Sequence, residues 1–298
     1  MLKVEHVTKY YDDIPAVIDE SFTVKEGEIF GLLGVNGAGK TTTFRMILGL
    51  LSKNEGIITL NGKNIDYTLT DKIGFLSEER SLLTKMTVSE QIHYYGKLKG
   101  MKNADIDKKL DYYLKRFNIE EYKNRVIKEL SKGNQQKIQF ISAIMNDPIL
   151  LILDEPFSGL DPINIELFKS VILEMKKKGC MIIFSTHRMD HAEYFCDKLL
   201  ILVKGKTVLE GDLKEIKKQY RKKNIIVIGE VIEEKILSIK GVESIDYTGS
   251  EYIIKVSDDS IIDEVFKVVS KFKNITKFVV EEPSLNEIFL AKVGEYYE

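Results

Sequence analysis

The residues Gly34-Val35-Asn36-Gly37-Ala38-Gly39-Lys40-Thr41-Thr42 constrain this chain more than any others. They fit the pattern G-x-x-x-x-G-K-[ST] in the one context where it carries chemistry. A short apolar run, Ile29–Leu33, precedes them and reads as a buried strand. Residues 43–51 follow, with Phe44, Ile47, Leu48 and Leu51 on one side at helical spacing. Glycines let successive backbone N–H groups turn inward toward phosphate oxygens, and the helix behind them adds the positive end of its dipole. In such a loop Lys40 reaches the β- and γ-phosphates, and the Thr41 hydroxyl is placed to ligate Mg²⁺. Gly34, Asn36, Gly37, Ala38, Gly39, Lys40, Thr41 and Thr42 are therefore the candidate nucleotide-binding residues.

A second constellation is the apolar run 149–153, which ends in Asp154 and Glu155. A strand of that kind holds two carboxylates at the carboxyl edge of a parallel sheet, where open α/β sheets bind their ligands. Asp154 is expected to hold Mg²⁺ through water, and Glu155 to polarise the attacking water as general base. Together the two motifs read as a phosphate-loop NTPase.

The surrounding pattern supplies a frame of α/β class. Apolar strands at 149–153, 181–185 and 199–203 alternate with helical spacing at 88–99, 106–117 and 134–146, which predicts a parallel sheet covered on both faces. The opening segment predicts a β-rich layer. Strands at 2–7 and 16–24 flank a turn at Asp12 and Asp13, and a hairpin over 57–65 bends at Asn61-Gly62. After Gly211 the composition changes. A basic linker helix at 214–223 leads into strand 225–228, helix 233–239, strands Val242–Tyr247 and Tyr252–Val256, helix 261–272 and strand 275–280. That βαββαβ order is ferredoxin-like, with a last helix at 285–292. The expected domains are thus 1–211, with a helical part at about 84–146, and 212–298.

Composition removes other classes. A net charge of −2 gives no electrostatic reason to expect nucleic acid as a partner. No run of 18 apolar residues exists to span a membrane, and the first ten residues lack the core of a signal peptide. Cys180 and Cys196 read as small buried hydrophobes in a reducing compartment.

Beyond these motifs the chain closely resembles the ATP-binding cassette family. The segment Leu130-Ser131-Lys132-Gly133-Asn134-Gln135-Gln136-Lys137 looks like that family's signature sequence, and Ser158-Gly159-Leu160-Asp161 matches its D-loop. Ser185-Thr186-His187 matches the switch-histidine loop, and Tyr11 sits where the family stacks an aromatic ring on adenine. The resemblance runs from Met1 to about Gly211. It implies that two cassettes, identical or paralogous, sandwich two ATP molecules head to tail. Ser131 and the N–H of Gly133 would then contact the γ-phosphate held by the partner, His187 would hold that phosphate and the water, and Asp161 would communicate between the sites. It also implies a permease on a separate chain, received near residues 80–100, and a cytoplasmic place on the inner face of the membrane.

Several positions depart from the family pattern. Val35 replaces a common proline, and Lys132 and Asn134 replace the usual glycine and glutamine of the signature. Glu78 stands where the Q-loop has glutamine. A carboxylate ligates Mg²⁺ as an amide oxygen does, so Glu78 is a candidate metal contact, but it adds negative charge near Glu155. The ending Glu282-Pro283-Ser284-Leu285-Asn286-Glu287-Ile288-Phe289-Leu290 resembles a bacterial subgroup associated with export, sodium extrusion and drug or peptide resistance.

Three other readings compete with this one. Ribosome-associated cassette proteins resemble two fused cassettes, whereas this chain has one phosphate loop and one signature. Chromosome and repair ATPases insert a long coiled coil, but roughly 90 residues without sustained heptads separate Lys40 from Ser131. A regulatory subunit that binds ATP and hydrolyses it poorly finds support only in Glu78 and Lys132.

Overall fold

Alternating burial of Leu2 and Val4 against Val24 and Phe22 pairs β1 (Leu2–Tyr11) with β2 (Ile14–Val24) in antiparallel register, and a shift of register between Val4 and Val7 brings Val7 opposite Glu20. The computed structural model describes residues 1–65, 67–79, 81–220, 223–294 and 296, with the backbone alone at 67 and 68. Arg80, Arg221 and Lys222, which fall in the coupling and linker segments expected above, lie outside the described residues. Two compact units result, Met1–Glu210 and Gly211–Glu298.

In the first unit every residue of β3 (Ile29–Leu33) is buried, as a strand covered on both faces requires. The helix α1 (Lys40–Ile47) follows the glycine loop directly. It starts at Lys40 rather than 43, because the loop itself delivers the first turn, and Gly49, at φ 69°, lies just beyond its end. The strands β4 (Glu55–Leu60) and β5 (Lys63–Asn64) turn through Asn61 and Gly62, both at positive φ, the geometry of a type I′ hairpin. Next come β6 (Ile73–Leu76) and a helical layer of α2 (Val88–Leu98), α3 (Asn103–Arg116) and α4 (Lys132–Ile144). A capping box starts α2, with the Thr87 hydroxyl accepting from Glu90 N while Glu90 Oε2 accepts from Thr87 N. The remaining elements are β7 (Leu150–Asp154), α5 (Pro162–Lys177), β8 (Met181–Thr186), α6 (Met189–Phe195), β9 (Lys198–Val203) and β10 (Lys206–Asp212).

The strands form one sheet in the order β5-β4-β1-β2-β10-β9-β3-β8-β7-β6. Its end from β9 to β6 is parallel, and its β5-β4-β1-β2 end is antiparallel. Three fully buried rings join the helical layer to this core. Phe140 of α4 stacks on Phe168 of α5 at 4.6 Å, and Phe117 meets both edge-on.

One buried acid lies behind the glycine loop. Glu20 of β2 has no exposed surface; its Oε2 accepts from the Thr43 hydroxyl of α1 at 2.6 Å, while Oε1 has no hydrogen-bond partner. Burial raises its pKa from 4.5 to about 7, the Thr43 hydrogen bond opposing and Glu210 adding to the rise. A pKa higher in the folded chain than in the unfolded one leaves the associated stability complete below 4.5 and removes it as pH climbs through about 7. Glu20→Gln should therefore match the parent in acid and gain about 3 kcal/mol over it by pH 8, measured as urea unfolding free energies across that range. A constant difference at every pH would show that Glu20 does not titrate as stated.

In the second unit α7 (Leu213–Gln219) precedes β11 (Lys223–Ile228), α8 (Glu233–Leu237), β12 (Val242–Tyr247), β13 (Tyr252–Val256), α9 (Ile262–Val269), β14 (Lys277–Glu281) and α10 (Leu285–Gly294). The linker helix is shorter than the basic run, because β11 already begins at Lys223 to pair with β13. The sheet order is β12-β13-β11-β14 with every neighbour antiparallel, the ferredoxin-like arrangement. Ile225, Val227, Ile254 and Val256 face Ile236, Val265 and Val269 in its core. Among the described residues no helix is long and apolar enough to cross a membrane.

Candidate nucleotide site

Four parallel strands end at one edge of the large sheet. The pairings Leu33↔Thr186, Asp154↔Ser185 and Leu76↔Leu153 align the carboxyl ends of β3, β8, β7 and β6. Each strand there gives way to polar residues: the glycine loop, Asp154-Glu155, Thr186-His187 and Ser77-Glu78. A cleft of about 240 Å³ opens at this edge, lined by Asn36, Gly37, Gly39, Lys40, Thr41, Thr42, Glu78, Asp154 and Glu155, with Ala16 from β2. Such a crevice beyond the strand ends is the usual ligand position in this class of sheet.

The loop's shape depends on glycine at two points. Gly34 has φ 152° and Gly39 φ 115°; a Cβ would come within 2.5 Å of Leu202 O at the first and 2.6 Å of Ala16 O at the second. Lys40 is buried, and its Nζ donates to Gly34 O at 2.7 Å and Val35 O at 3.1 Å. Burial lowers its pKa, and Glu155, Asp154 and Glu78 work against that fall. One cation thus faces three carboxylates.

The acids are held by their neighbours. Thr41 Oγ1 donates to Asp154 Oδ2 at 3.1 Å, and Ser185 Oγ donates to Asp154 Oδ1. The same Ser185 Oγ accepts from the Glu155 N–H at 3.1 Å, so one hydroxyl steadies both acids. Glu155 itself has φ 47°, a left-handed conformation costly for a side chain of its size and common at functional positions. Its Oε1 accepts from the His187 N–H at 2.9 Å and lies 2.7 Å from His187 Nδ1. Two predicted residues, Glu155 and His187, are therefore in direct contact. Ser185 entered the sequence reading only as part of a loop, and nothing in its neighbours marks it as the link between two acids.

The chemistry of the donors suits Mg²⁺. Thr41 Oγ1 and Asp154 Oδ2 are within hydrogen-bond distance, so one hard ion could take both oxygens. Among the described residues no group of three or more acidic, histidine or cysteine side chains is close enough to hold an ion alone.

Other predicted residues stand outside the cleft. Tyr11 lies at the end of the β1–β2 hairpin, 44% exposed, with Lys9 Nζ 5.7 Å from its ring centre. Ala38, within the loop, is buried. Ser131 caps α4, its hydroxyl accepting from Asn134 N, and a Cβ at Gly133 would meet open space. Asp161 caps α5, accepting from Asn164 N at 2.9 Å; that backbone hydrogen bond holds its carboxyl below the usual range. The start of α4 is tied to the acidic strand end through Gln136 Nε2, which donates to Pro156 O.

Comparison with known proteins agrees with this geometry. The ABC transporter family profile matches residues 18–158, and the profile of the DrrA1-3-like ATP-binding protein C-terminal domain matches residues 211–293. The chain is 48% identical to the uncharacterized ABC transporter ATP-binding protein YhaQ of Bacillus subtilis over all of both chains. It is 30% identical to the linearmycin resistance ATP-binding protein LnrL of the same organism, over 99% of this chain and 98% of that one. Among solved structures it is similar to the dimeric post-hydrolysis state of the cassette MJ0796 bound to ADP and Pi. The TM-score is 0.65 and the identity 25%, covering 72% of this chain and 99% of that one. The phosphate loop, the paired acids and this full-length likeness place the chain among the ATP-binding proteins of ABC transporters, and its reaction is the hydrolysis of ATP.

Proposed function

We propose that two copies of this chain, or one copy and a paralogue, close on two ATP molecules and reopen on hydrolysis, and that this cycle drives export through a permease on a separate chain. The observation that carries the reading is a half-built site. The loop of Lys40 and the acids Asp154 and Glu155 share one cleft, while Ser131 and Gly133 sit outside it at an open helix start. A second chain in head-to-tail contact completes the site by bringing its Ser131 and Gly133 to the γ-phosphate.

Each residue then has a role. Lys40 and the backbone N–H groups of residues 37–42 bind the phosphates, and Tyr11 stacks on adenine. Thr41 and Asp154 would hold Mg²⁺, with Glu78 as a further contact, and the ion would supply charge neutralisation for the phosphates. Glu155 accepts the proton of the attacking water, whose oxygen bonds to the γ-phosphorus as the bond to the β–γ bridging oxygen breaks. ADP and phosphate are the products. His187, already against the Glu155 carboxylate, orients it and contacts the γ-phosphate. Asp161 carries the state of one site to the other.

The permease is received in a groove of about 380 Å³ lined by Leu50, Phe75, Leu82, Tyr95 and Leu98. Its docking would place the chain on the cytoplasmic face of a membrane. Export as the direction is supported by the full-length likeness to a resistance protein.

Mixing variants tests the shared site. Lys40→Ala and Ser131→Ala chains should each be inactive alone. Mixed in equal amounts they should recover at most about a quarter of the parent rate, because half of the pairs are mixed and each holds one intact site. Normal hydrolysis by Ser131→Ala alone would refute the two-chain site.

A further inference from the structure

Glu78 stands on an exposed turn just past the end of β6, where a side chain needs a second support to keep one place. Gln139 of α4 supplies that support. It is only 3% exposed, and its Nε2 donates to Ser77 O at 3.0 Å and Glu79 O at 3.2 Å, the carbonyls on either side of Glu78. The same nitrogen reaches Ser77 Oγ at 3.1 Å and Ser81 Oγ at 3.4 Å. Two carbonyl acceptors admit only the NH₂ end of the amide, so its orientation is set. The other end, Gln139 Oε1, is buried with no hydrogen-bond partner. The hydrogen bonding of this amide thus runs through its donors.

The support has a direction. Ser77 Oγ donates to Glu79 O at 2.6 Å and closes the turn from within. Past the turn, Leu83 N donates to Gln91 Oε1 of α2, and Gln91 Nε2 donates in turn to Ser142 Oγ of α4. The segment that carries Glu78 is thus attached to α4 twice, and α4 is the helix that begins at Ser131. Glu78 itself lines the cleft with Thr41 and Asp154.

We infer that Gln139 is the positioning residue for Glu78: it sets the carboxylate beside the Thr41–Asp154 pair and ties the order of that turn to the helix presenting Ser131. The inference rests on the proposed reading of Glu78 as a metal contact.

The test uses the full chain with Gln139→Met, which keeps the side chain's volume and removes its donors. A parallel Gln139→Glu variant also turns an oxygen toward the two carbonyls. In the nucleotide-free chain, amide exchange over residues 77–79 should quicken by about 10-fold, the loss of one or two hydrogen bonds, while the rest of α4 stays protected. The Mg²⁺ concentration for half-maximal binding of a fluorescent ATP analogue should rise by about 10-fold, as for a residue that supports a ligand from behind. In a Glu78→Ala background Gln139→Met should change that concentration by less than about twofold, since the two act as one unit. Unchanged exchange, unchanged Mg²⁺ demand, or equal shifts in both backgrounds would overturn the inference. Loss of Mg²⁺-dependent nucleotide binding in the parent chain would instead overturn the function it rests on. Should the Met variant unfold, the Glu variant carries the same three readings.

Discussion

Glu155→Gln leaves ATP bound and all but stops its hydrolysis: the expected loss in turnover is about 10²- to 10³-fold, the worth of a well-placed general base. The substitution disturbs little else. A glutamine oxygen still accepts the His187 N–H that Glu155 Oε1 accepts at 2.9 Å, and the main chain at φ 47° is held by the Ser185 hydroxyl regardless of the side chain. Only the capacity to take a proton is lost. With hydrolysis blocked, the nucleotide that joins two chains is not consumed, so light scattering with MgATP should show a dimer that persists where the parent's decays. Hydrolysis within about twofold of the parent would remove Glu155 from the chemistry.

Lys40→Ala acts one step earlier. Its ammonium is the cation facing Glu155, Asp154 and Glu78, and it occupies the loop by donating to the carbonyls of Gly34 and Val35. Removing it exposes an incoming triphosphate to three carboxylates and leaves two carbonyls without a donor. Hydrogen bonds to charged groups contribute about 1.5–3 kcal/mol each, so affinity should fall by at least about 100-fold in a fluorescent-nucleotide titration. Lys40→Arg should not restore it, because a planar guanidinium does not fit a turn shaped around a point charge. Parent-like affinity in either variant would mean that phosphate is bound elsewhere.

The candidate site is legible in the sequence because its parts are local. The glycine loop, the acidic strand end and β3, β12 and β13 are short stretches whose residue types determine their own conformation. What is not legible depends on partners far along the chain. The strand β6 has four residues, too few for a periodic signal, and is a strand only because β7 lies beside it. The helix α5 is hard to read although Asp161 and Pro162 announce its start, since its apolar residues spread around much of its circumference. Ser185, Glu20 and Gln139 are ordinary polar residues in sequence. Their significance comes from Asp154, Thr43 and Glu78, 31, 23 and 61 positions away respectively. The left-handed turn at Glu155 is likewise invisible in residue type, because glutamate does not favour it.

Both sulfhydryls of the chain lie inside the first unit. Burial pushes Cys180 up to about 12 and Cys196 well above the ordinary thiol range, leaving almost no nucleophilic thiolate at neutral pH. A maleimide dye therefore finds no ready target in the folded chain. A single cysteine installed at Ile163, a solvent-facing position two residues from Asp161, would take the dye alone. Energy transfer between two such labelled copies would then follow their approach and separation in real time, with the native thiols left in place.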